Sequence, residues 1–293
     1  MRALRYDRFG GVDVLALETV PRPTVGDDEV LIRVRAASLN PYDVKMMSGQ
    51  LSEFFEVDFP ITPGRDGCGE VVAVGGSVSD ELHIQLRPGR RVCFVSSDTQ
   101  LGSVADFVAV KAKGFVVAAC PSITDAACAA LPLVGLSAWN AIVDTADVQR
   151  GMRVLIHGGS GGVGSVAIQI ARHLGAEVYS TCSSANTGRV DGLGAVAIPY
   201  DRSDFTKVVS ECDVVFDTVG GRVREESYKV LATGGSLVYL IAEPVKTASA
   251  RDDVSTRQVM VMDRIENLRH VVDLAEAGVI VVDVARLSRM LLK

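Results

Sequence analysis

Two stretches of this chain carry residue types at spacings that can do chemistry. The first is Arg153-Val154-Leu155-Ile156-His157-Gly158-Gly159-Ser160-Gly161-Gly162-Val163-Gly164, which contains Gly159-x-Gly161-x-x-Gly164. Glycines spaced this way let a backbone turn tightly and approach a pyrophosphate with no Cβ in the way. The N–H groups that open the following helix then meet the phosphates with a partial positive charge. Alone, the spacing is weak, because glycine-rich turns that bind nothing are common. Here a β-branched run, Arg153 to His157, precedes it. Val166, Ala167, Ile170, Ala171 and Leu174 follow at helical spacing, Gly175 ends the helix, and a second strand runs from Glu177 to Cys182. Strand, glycine turn, helix and strand in about thirty residues are the setting a dinucleotide fingerprint requires. Ser160, Gly162 and Val163 complete the turn and join Gly159, Gly161 and Gly164 as candidate cofactor contacts.

The second stretch is Asn40-Pro41-Tyr42-Asp43-Val44-Lys45. Hydride transfer needs a nicotinamide close to an electrophilic carbon and donors for the charge that develops on the substrate oxygen. Lys45 can give a proton or a charge-assisted hydrogen bond, or be a solvated surface lysine. Tyr42 can donate its phenolic proton, or pack on the domain surface. Asp43 suits orienting its neighbours better than abstracting a proton. Asp66, in a glycine-flanked turn, reads as a structural acceptor pairing with Arg65. His157 reads as a packed histidine. No Ser/His/Asp or Cys/His constellation is suggested, so hydrolysis has no visible support.

The cofactor's form is argued from the second strand, which ends Tyr179-Ser180-Thr181-Cys182-Ser183-Ser184-Ala185-Asn186. An NAD-preferring site places an acid about twenty residues past the glycines, to bond the ribose 2′-hydroxyl. No acid occurs between Glu177 and Asp191. NADPH is therefore expected over NADH, with Ser183, Ser184 and Asn186 as phosphate ligands and Arg189 one turn further on. The alternative is a polar loop that selects neither.

The elements that must position these residues follow from pattern. At 293 residues the chain is long enough for two domains. Its 48% hydrophobic and 23% charged content suit a globular protein. The net charge of −6, without a basic cluster, points away from nucleic acid. No apolar run approaches a membrane span. Charge within Met1 to Asp7 argues against a signal peptide and for a cytoplasmic location. Cys68, Cys93, Cys120, Cys128, Cys182 and Cys212 form no CxxC, so neither a zinc ribbon nor a disulfide framework follows.

The first hundred residues read as β-rich. Val30, Ile32, Val34 and Ala36 alternate with Leu31, Arg33 and Arg35. Further strands are expected at Gly69–Val74, Arg91–Val95, Val104–Val110 and Phe115–Ala119, as a small barrel or partly closed sheet. A short helix fits within Asn40–Gly49. After Pro121, helices are expected from the Thr124 cap to Ala130 and from Leu136 to Val143. Strands then alternate with helices at Arg153–His157, Glu177–Cys182, Ala195–Pro199, Val214–Asp217, Ser236–Ile241 and Gln258–Met262, which implies a parallel sheet. Asp263 would cap a last helix, Ile265–Ala277, before a strand-like run, Val279–Val284.

Nearly the whole chain resembles a medium-chain dehydrogenase/reductase of the zinc-independent quinone oxidoreductase branch. The resemblance lies in Tyr6-Asp7-Arg8-Phe9-Gly10-Gly11, Glu29-Val30-Leu31-Ile32-Arg33-Val34, Asn40 to Lys45, Pro63-Gly64-Arg65-Asp66, Ala130 to Trp139, and Asp217-Thr218-Val219-Gly220-Gly221. Each is modest alone; their collinear order around the glycine turn makes the assignment specific. The resemblance implies an α/β chain with a GroES-like catalytic domain over 1–118; the tail, 278–293, is too short to form a domain and is expected to return to it. The resemblance also implies a Rossmann NADP-binding domain, a doubly wound parallel sheet, over 119–277. It further implies an active site in the cleft between the two domains, and a homodimer. It places Asn40 and Lys45, beside Tyr42, near the nicotinamide ribose, and Ser137 near the nicotinamide or phosphate. Val219 and Gly220 would approach the cofactor, and the backbone of Leu240, Ile241 and Ala242 would bond the carboxamide. Zinc-dependent members use a cysteine near Asn40 and a His-Glu pair where this chain has Arg65-Asp66, so no metal is expected. In two respects the chain departs from the family: Ala185 stands where a basic residue is common, and the chain stops at Lys293, where the family adds another helix and strand.

The expected activity is NADPH-dependent hydride transfer to a small electrophile, a quinone or an α,β-unsaturated carbonyl. Phe54, Phe55 and Phe59 form an apolar wall for it, or belong to the core. The alternatives are a nicotinamide-binding protein with little catalysis, acting as a redox-sensing or structural partner, and zinc-free alcohol oxidation.

Overall fold

The computed structural model describes residues 1–54, 57–96, 102–119, 121–240, 251–260 and 264–284. They group into two units. One gathers the described residues of 1–133, 264–276 and 283–284; the other gathers those of 134–260 and 277–282.

The first unit is built on β-strands. Strands β1 (Arg2–Arg5) and β2 (Ala16–Thr19) pair antiparallel. Strands β3 (Glu29–Ser38), β4 (Asp66–Val74), β5 (Arg91–Val95), β6 (Phe107–Lys111) and β7 (Val116–Ala118) form an antiparallel sheet in the order β6-β3-β4-β5-β7. Every second residue of a strand faces the same side. Val30 and Ile32 of β3 thus meet Val71, Phe94, Val108 and Val110 in one buried cluster. The helix Pro41–Met47 leaves the end of β3, and Pro41 sits at its first position, where a missing N–H costs nothing. A last helix, Ile265–Glu276, packs on β7.

The second unit is a six-stranded parallel sheet. Its strands are β8 (Arg153–His157), β9 (Glu177–Cys182), β10 (Val196–Pro199), β11 (Cys212–Asp217), β12 (Leu231–Tyr239) and β13 (Ser255–Gln258). They lie in the order β10-β9-β8-β11-β12-β13. Counted within the sheet this is 3-2-1-4-5-6, and the strand order reverses between β8 and β11. Crevices at the carboxyl ends of strands at such a reversal are where open α/β sheets take their ligands. The helix Gly162–His173 buries Val166, Ala167, Ile170 and Ala171, and Gly175, with φ +87°, turns the chain into β9. Leu155, Ile198, Val215 and Leu237 anchor the core on one side of the sheet.

Three elements differ from the pattern reading. The last strand lies at Ser255–Gln258 instead of Gln258–Met262. It is an edge strand with largely exposed residues, so its apolar neighbours Val259 and Met260 draw the pattern past it; Val259 N–H still bonds Tyr239 O at 2.8 Å. The helix expected over Leu136–Val143 starts earlier, at Pro132, and widens into a π-helix over Asn140–Thr145. Asn140 Nδ2 donates to Leu136 O at 2.7 Å, and Ala146 N–H reaches back five residues to Ala141 O. A side chain competing for an i−4 carbonyl disturbs the ladder in this way. Val279–Val284 forms no strand. Gln169 holds it instead, donating to Val281 O at 3.1 Å and accepting from Val281 N at 2.8 Å. Thr124 caps its helix as expected, accepting from Ala127 N at 3.2 Å. Phe55, Cys120, Ile241, Ala242 and Asp263 lie outside the described residues. The other five cysteines are buried free thiols.

Candidate active site

The glycine turn sits at the carboxyl end of β8, and its glycines have separate jobs. Gly158 adopts φ +76°, a backbone that side-chain-bearing residues rarely take, and so makes the turn itself. The fingerprint spacing begins at Gly159 and passes over it, although the doubled glycine at the strand's end is the signal. A Cβ on Gly159 would collide with Ser180 Oγ, and one on Gly164 with Gly158 O. These two glycines let strand, loop and helix pack. Gly161 is the helix N-cap, and Gly161 and Gly162 are exposed, with Ser160 and Val163 half-buried beside them. The first N–H groups of a helix have no partner inside it. Two exposed glycines leave them uncovered, so the turn fits a pyrophosphate.

The end of β9 holds the residues expected to select the cofactor. Asn186 Nδ2 donates to Ser183 Oγ at 2.9 Å. Ser184 gives both its donors to Asp201, N–H to Oδ1 at 2.8 Å and hydroxyl to Oδ2 at 2.6 Å. The absence of an acid between Glu177 and Asp191 holds in sequence and fails in space. Parallel pairing of β10 with β9 and the bond from Tyr200 N to Cys182 O (2.9 Å) bring Asp201 alongside. Arg189 lies, half-buried, on the helix Thr187–Gly192.

At the end of β11, Asp217 organises the next turn. Its Oδ1 accepts from Val219 N at 2.8 Å and Gly220 N at 2.9 Å, and its Oδ2 accepts from Arg224 Nε at 2.8 Å. Gly220 has φ +82°, and Val219 is exposed. Thr218 Oγ1 donates to His157 O at 2.8 Å, tying this turn to β8. The sequence points to Val219 and Gly220 and assigns Asp217 no role. Leu240 N–H is spent on Asp217 O at 3.2 Å. Ser137 is buried on the helix Pro132–Trp139. His157 is a packed histidine: Nδ1 meets Thr181 Oγ1 at 3.0 Å, Nε2 meets Ser227 Oγ at 2.9 Å, and the ring stands edge-on to Phe205. Burial pushes its pKa down to about 4, so it is neutral at pH 7.

In the first unit the short helix Pro41–Met47 is fixed by Asp43. One carboxylate oxygen accepts from Asn40 N at 2.7 Å, the other from Gly64 N at 2.9 Å. Asp43 therefore positions, as expected. Asn40 Nδ2 donates to Ser38 Oγ and to Asp66 Oδ1, both at 3.0 Å. Asp66 also accepts from the Ser38 hydroxyl and from Leu133 N. The expected pairing of Asp66 with Arg65 is replaced by these bonds. Arg65 lies in the bend before β4 and its guanidinium stands over the Tyr42 ring, 5.3 Å from its centroid. Tyr42, Asp43, Thr62 and Arg65 line a small cleft with Tyr6 and Ser96. The buried Thr62 hydroxyl has no hydrogen-bond partner among the described residues. Tyr42 and Lys45 are half-exposed.

Burial pushes the Asp66 carboxyl up to about 6, against the bonds from Ser38, Leu133 and Asn40. The folded chain thus holds this proton more tightly than the unfolded chain, whose carboxyl keeps the ordinary value of 3.8. Its stabilising contribution is full below about pH 4 and is lost as pH rises through about 6. At about 1.4 kcal/mol per pKa unit the loss is up to about 3 kcal/mol. His157 has the opposite slope, gaining as pH rises from about 4 to 6.5. Comparison with Asp66→Asn cancels that slope. In urea unfolding between pH 4.5 and 7, the wild type is expected to lose about 1–3 kcal/mol relative to the variant. Parallel stability curves would refute the assignment.

Among the described residues no group of three or more His, Cys, Asp or Glu could hold a metal ion. No helix among them is long and apolar enough to cross a membrane.

Sequence models of two families match the chain: the alcohol dehydrogenase GroES-like domain over residues 26–122 and zinc-binding dehydrogenase over 162–272. An NADPH-dependent alkenal/one oxidoreductase, chloroplastic, of Arabidopsis thaliana is 37% identical over 82% of this chain, which spans 62% of that relative's length. A chloroplast envelope quinone oxidoreductase homolog of the same plant is 30% identical over 95% of this chain and 88% of its own. Among solved structures, an alcohol dehydrogenase superfamily protein from Novosphingobium aromaticivorans superposes with a TM-score of 0.86 at 30% identity, covering 96% of this chain and 88% of that one. The unit with the five-stranded antiparallel sheet is the GroES-like domain and the unit with the six-stranded parallel sheet the Rossmann domain. The chain belongs to the medium-chain dehydrogenase/reductase superfamily, on its quinone oxidoreductase branch.

Proposed function

We propose that the protein is an NADPH-dependent reductase that passes hydride to a quinone or an α,β-unsaturated carbonyl. The observation that carries this is the uncovered glycine turn at the β8–β11 reversal, in a chain whose relatives are named for these two reductions. Bound there, NADPH would supply the hydride. The N–H groups of Gly162 and Val163 would hold its pyrophosphate, with Ser160 beside them and Gly161, whose N–H is bonded to Gly158 O, giving room for close approach; Val219, Gly220 and Ser137 would meet its nicotinamide half. Leu240 would contribute through its carbonyl, since its N–H is already bonded. Ser183, Asn186 and Arg189 would receive the adenosine end, together with whatever Ser184 has left to give. Asn40, Tyr42 and Lys45 are assigned to the substrate. Lys45 would offer its ammonium to the developing negative charge, Tyr42 its hydroxyl, and Asn40 orientation through Asp66.

The protein is read as zinc-independent. The positions that hold ligands in zinc-dependent members carry Asn40, Arg65 and Asp66, and the Asp66 oxygens are engaged in hydrogen bonds. Its five buried free thiols suit a reducing compartment, and we assign it to the cytoplasm. Strand β13, at the sheet's edge, is the surface on which we place a homodimer contact. Light scattering on the purified chain tests the dimer.

The activity is tested by following reduced-nicotinamide absorbance with NADPH and a panel of quinones, enones and alcohols. Turnover is expected on quinones or enones. Tight NADPH binding without turnover on any of them would favour a binding protein instead. Lys45→Met is expected to lower kcat/KM about 10- to 100-fold with an unchanged melting temperature. A variant with wild-type kcat/KM would return Lys45 to the solvated surface.

A further inference from the structure

Asp201 stands beside the turn after β9, the place where this fold receives the adenosine ribose. Its two oxygens take the N–H and the hydroxyl of Ser184. We propose that Asp201 is a selectivity residue that holds down affinity for the 2′-phosphate of NADPH and keeps NADH within the protein's range. The inference rests on the reading that a nicotinamide dinucleotide binds at the glycine turn.

The argument is one of donors and charge. A phosphate oxygen only accepts hydrogen bonds. Ser184 has two donors, one N–H and one O–H, and Asp201 takes both. Ala185 has no side-chain donor. Asn186 spends one amide hydrogen on Ser183 Oγ, so within residues 183–186 the side chains offer a phosphate the Ser183 hydroxyl proton and one hydrogen of the Asn186 amide, beside the Arg189 guanidinium on the next helix. The Ser184 hydroxyl keeps the Asp201 carboxyl below its usual range, with a smaller push from Arg202, so the group is an anion at neutral pH. An anion repels a 2′-phosphate and accepts from a 2′-hydroxyl. Asp201 faces water, so salt screens the repulsion and the effect is moderate.

The test uses the nucleotide halves, read by calorimetry in place of turnover. The full chain is titrated with 2′,5′-ADP and with 5′-AMP, as wild type, Asp201→Ala, Asp201→Asn, Ser184→Ala and the Asp201→Ala/Ser184→Ala pair. Asp201→Ala is expected to tighten 2′,5′-ADP about tenfold, and Asp201→Asn several-fold, with 5′-AMP unchanged or weaker. The gain should shrink as salt is raised. Ser184→Ala should change little in the wild type and remove much of the gain beside Asp201→Ala. A 2′,5′-ADP affinity that is unchanged or weaker in both Asp201 variants, with melting temperatures intact, overturns the inference while leaving the dinucleotide site standing. Failure of the wild type to bind NADPH or either half overturns both.

Discussion

Gly164→Ala is expected to cost the protein its nucleotide. Helix propensity alone favours the change, because alanine is the better helix former by about 1 kcal/mol. Packing reverses that sign. An ideal Cβ on Gly164 would collide with Gly158 O and lie 2.8 Å from Gly158 C and 3.0 Å from Gly159 Cα. All three are backbone atoms, so no rotamer change relieves the contact. Either the helix backs off the sheet or the turn moves away from the helix start. Overpacking of this kind costs about 1–3 kcal/mol. The displaced N–H groups lose far more in binding, since a misplacement of about 1 Å can cost a hundredfold where geometry decides. NADPH affinity is expected to fall about 100-fold or more, with a lower melting temperature. Gly188→Ala is the control. It lies in the helix Thr187–Gly192 with nothing within 4 Å of an added Cβ and no left-handed backbone. It should gain about 0.5–1 kcal/mol and bind as the wild type does. A Gly164→Ala protein within threefold of wild-type affinity would remove the packing argument.

The same contrast explains which parts are readable in the sequence. The turn and its helix are local: Val166, Ala167, Ile170 and Ala171 repeat at the helical period, and Gly175 closes the helix where its backbone requires. Motifs in collinear order name the family correctly. The residues that pattern passes over act through strand adjacency. Asp201 reaches Ser184 because β10 pairs beside β9, seventeen residues further along the chain. Asp217 is visible only as the end of a strand; its two N–H partners and Arg224 come together after the turn has formed. Asp66 and Arg65 look like a pair because they are neighbours in sequence, but Asp66 opens a strand and Arg65 lies in the bend before it, and they meet different partners. The position of β13 slips because an exposed edge strand has no buried face to set its period.

Asp217 carries the largest stability effect expected of a single side chain here. It is fully buried, Arg224 is nearly so, and the guanidinium rests on the Tyr239 ring at 4.2 Å. A buried pair of this kind contributes little net stability over an apolar pair, because both charges lose their water. Breaking it is a different matter. Asp217→Ala leaves the Arg224 cation buried, with Nη2 already lacking a partner among the described residues, and deprives Val219 N–H and Gly220 N–H of their acceptor. The expected loss is about 3–5 kcal/mol. Asp217→Asn keeps one acceptor for the turn but turns an amide toward the cation, and should lose somewhat less. Arg224→Met removes the cation and strands the carboxylate, although a methionine can keep the contact with Tyr239. The Asp217→Asn/Arg224→Met pair removes both charges while the amide oxygen introduced by the first substitution still accepts from the turn. Urea unfolding should therefore find the double variant more stable than either single one, with a coupling of about 1–3 kcal/mol. Its NADPH affinity should exceed that of Asp217→Ala, because the Val219–Gly220 turn retains its acceptor. Additive losses in the double variant would mean that Asp217 acts on the turn alone and that Arg224 is its neighbour without being its partner.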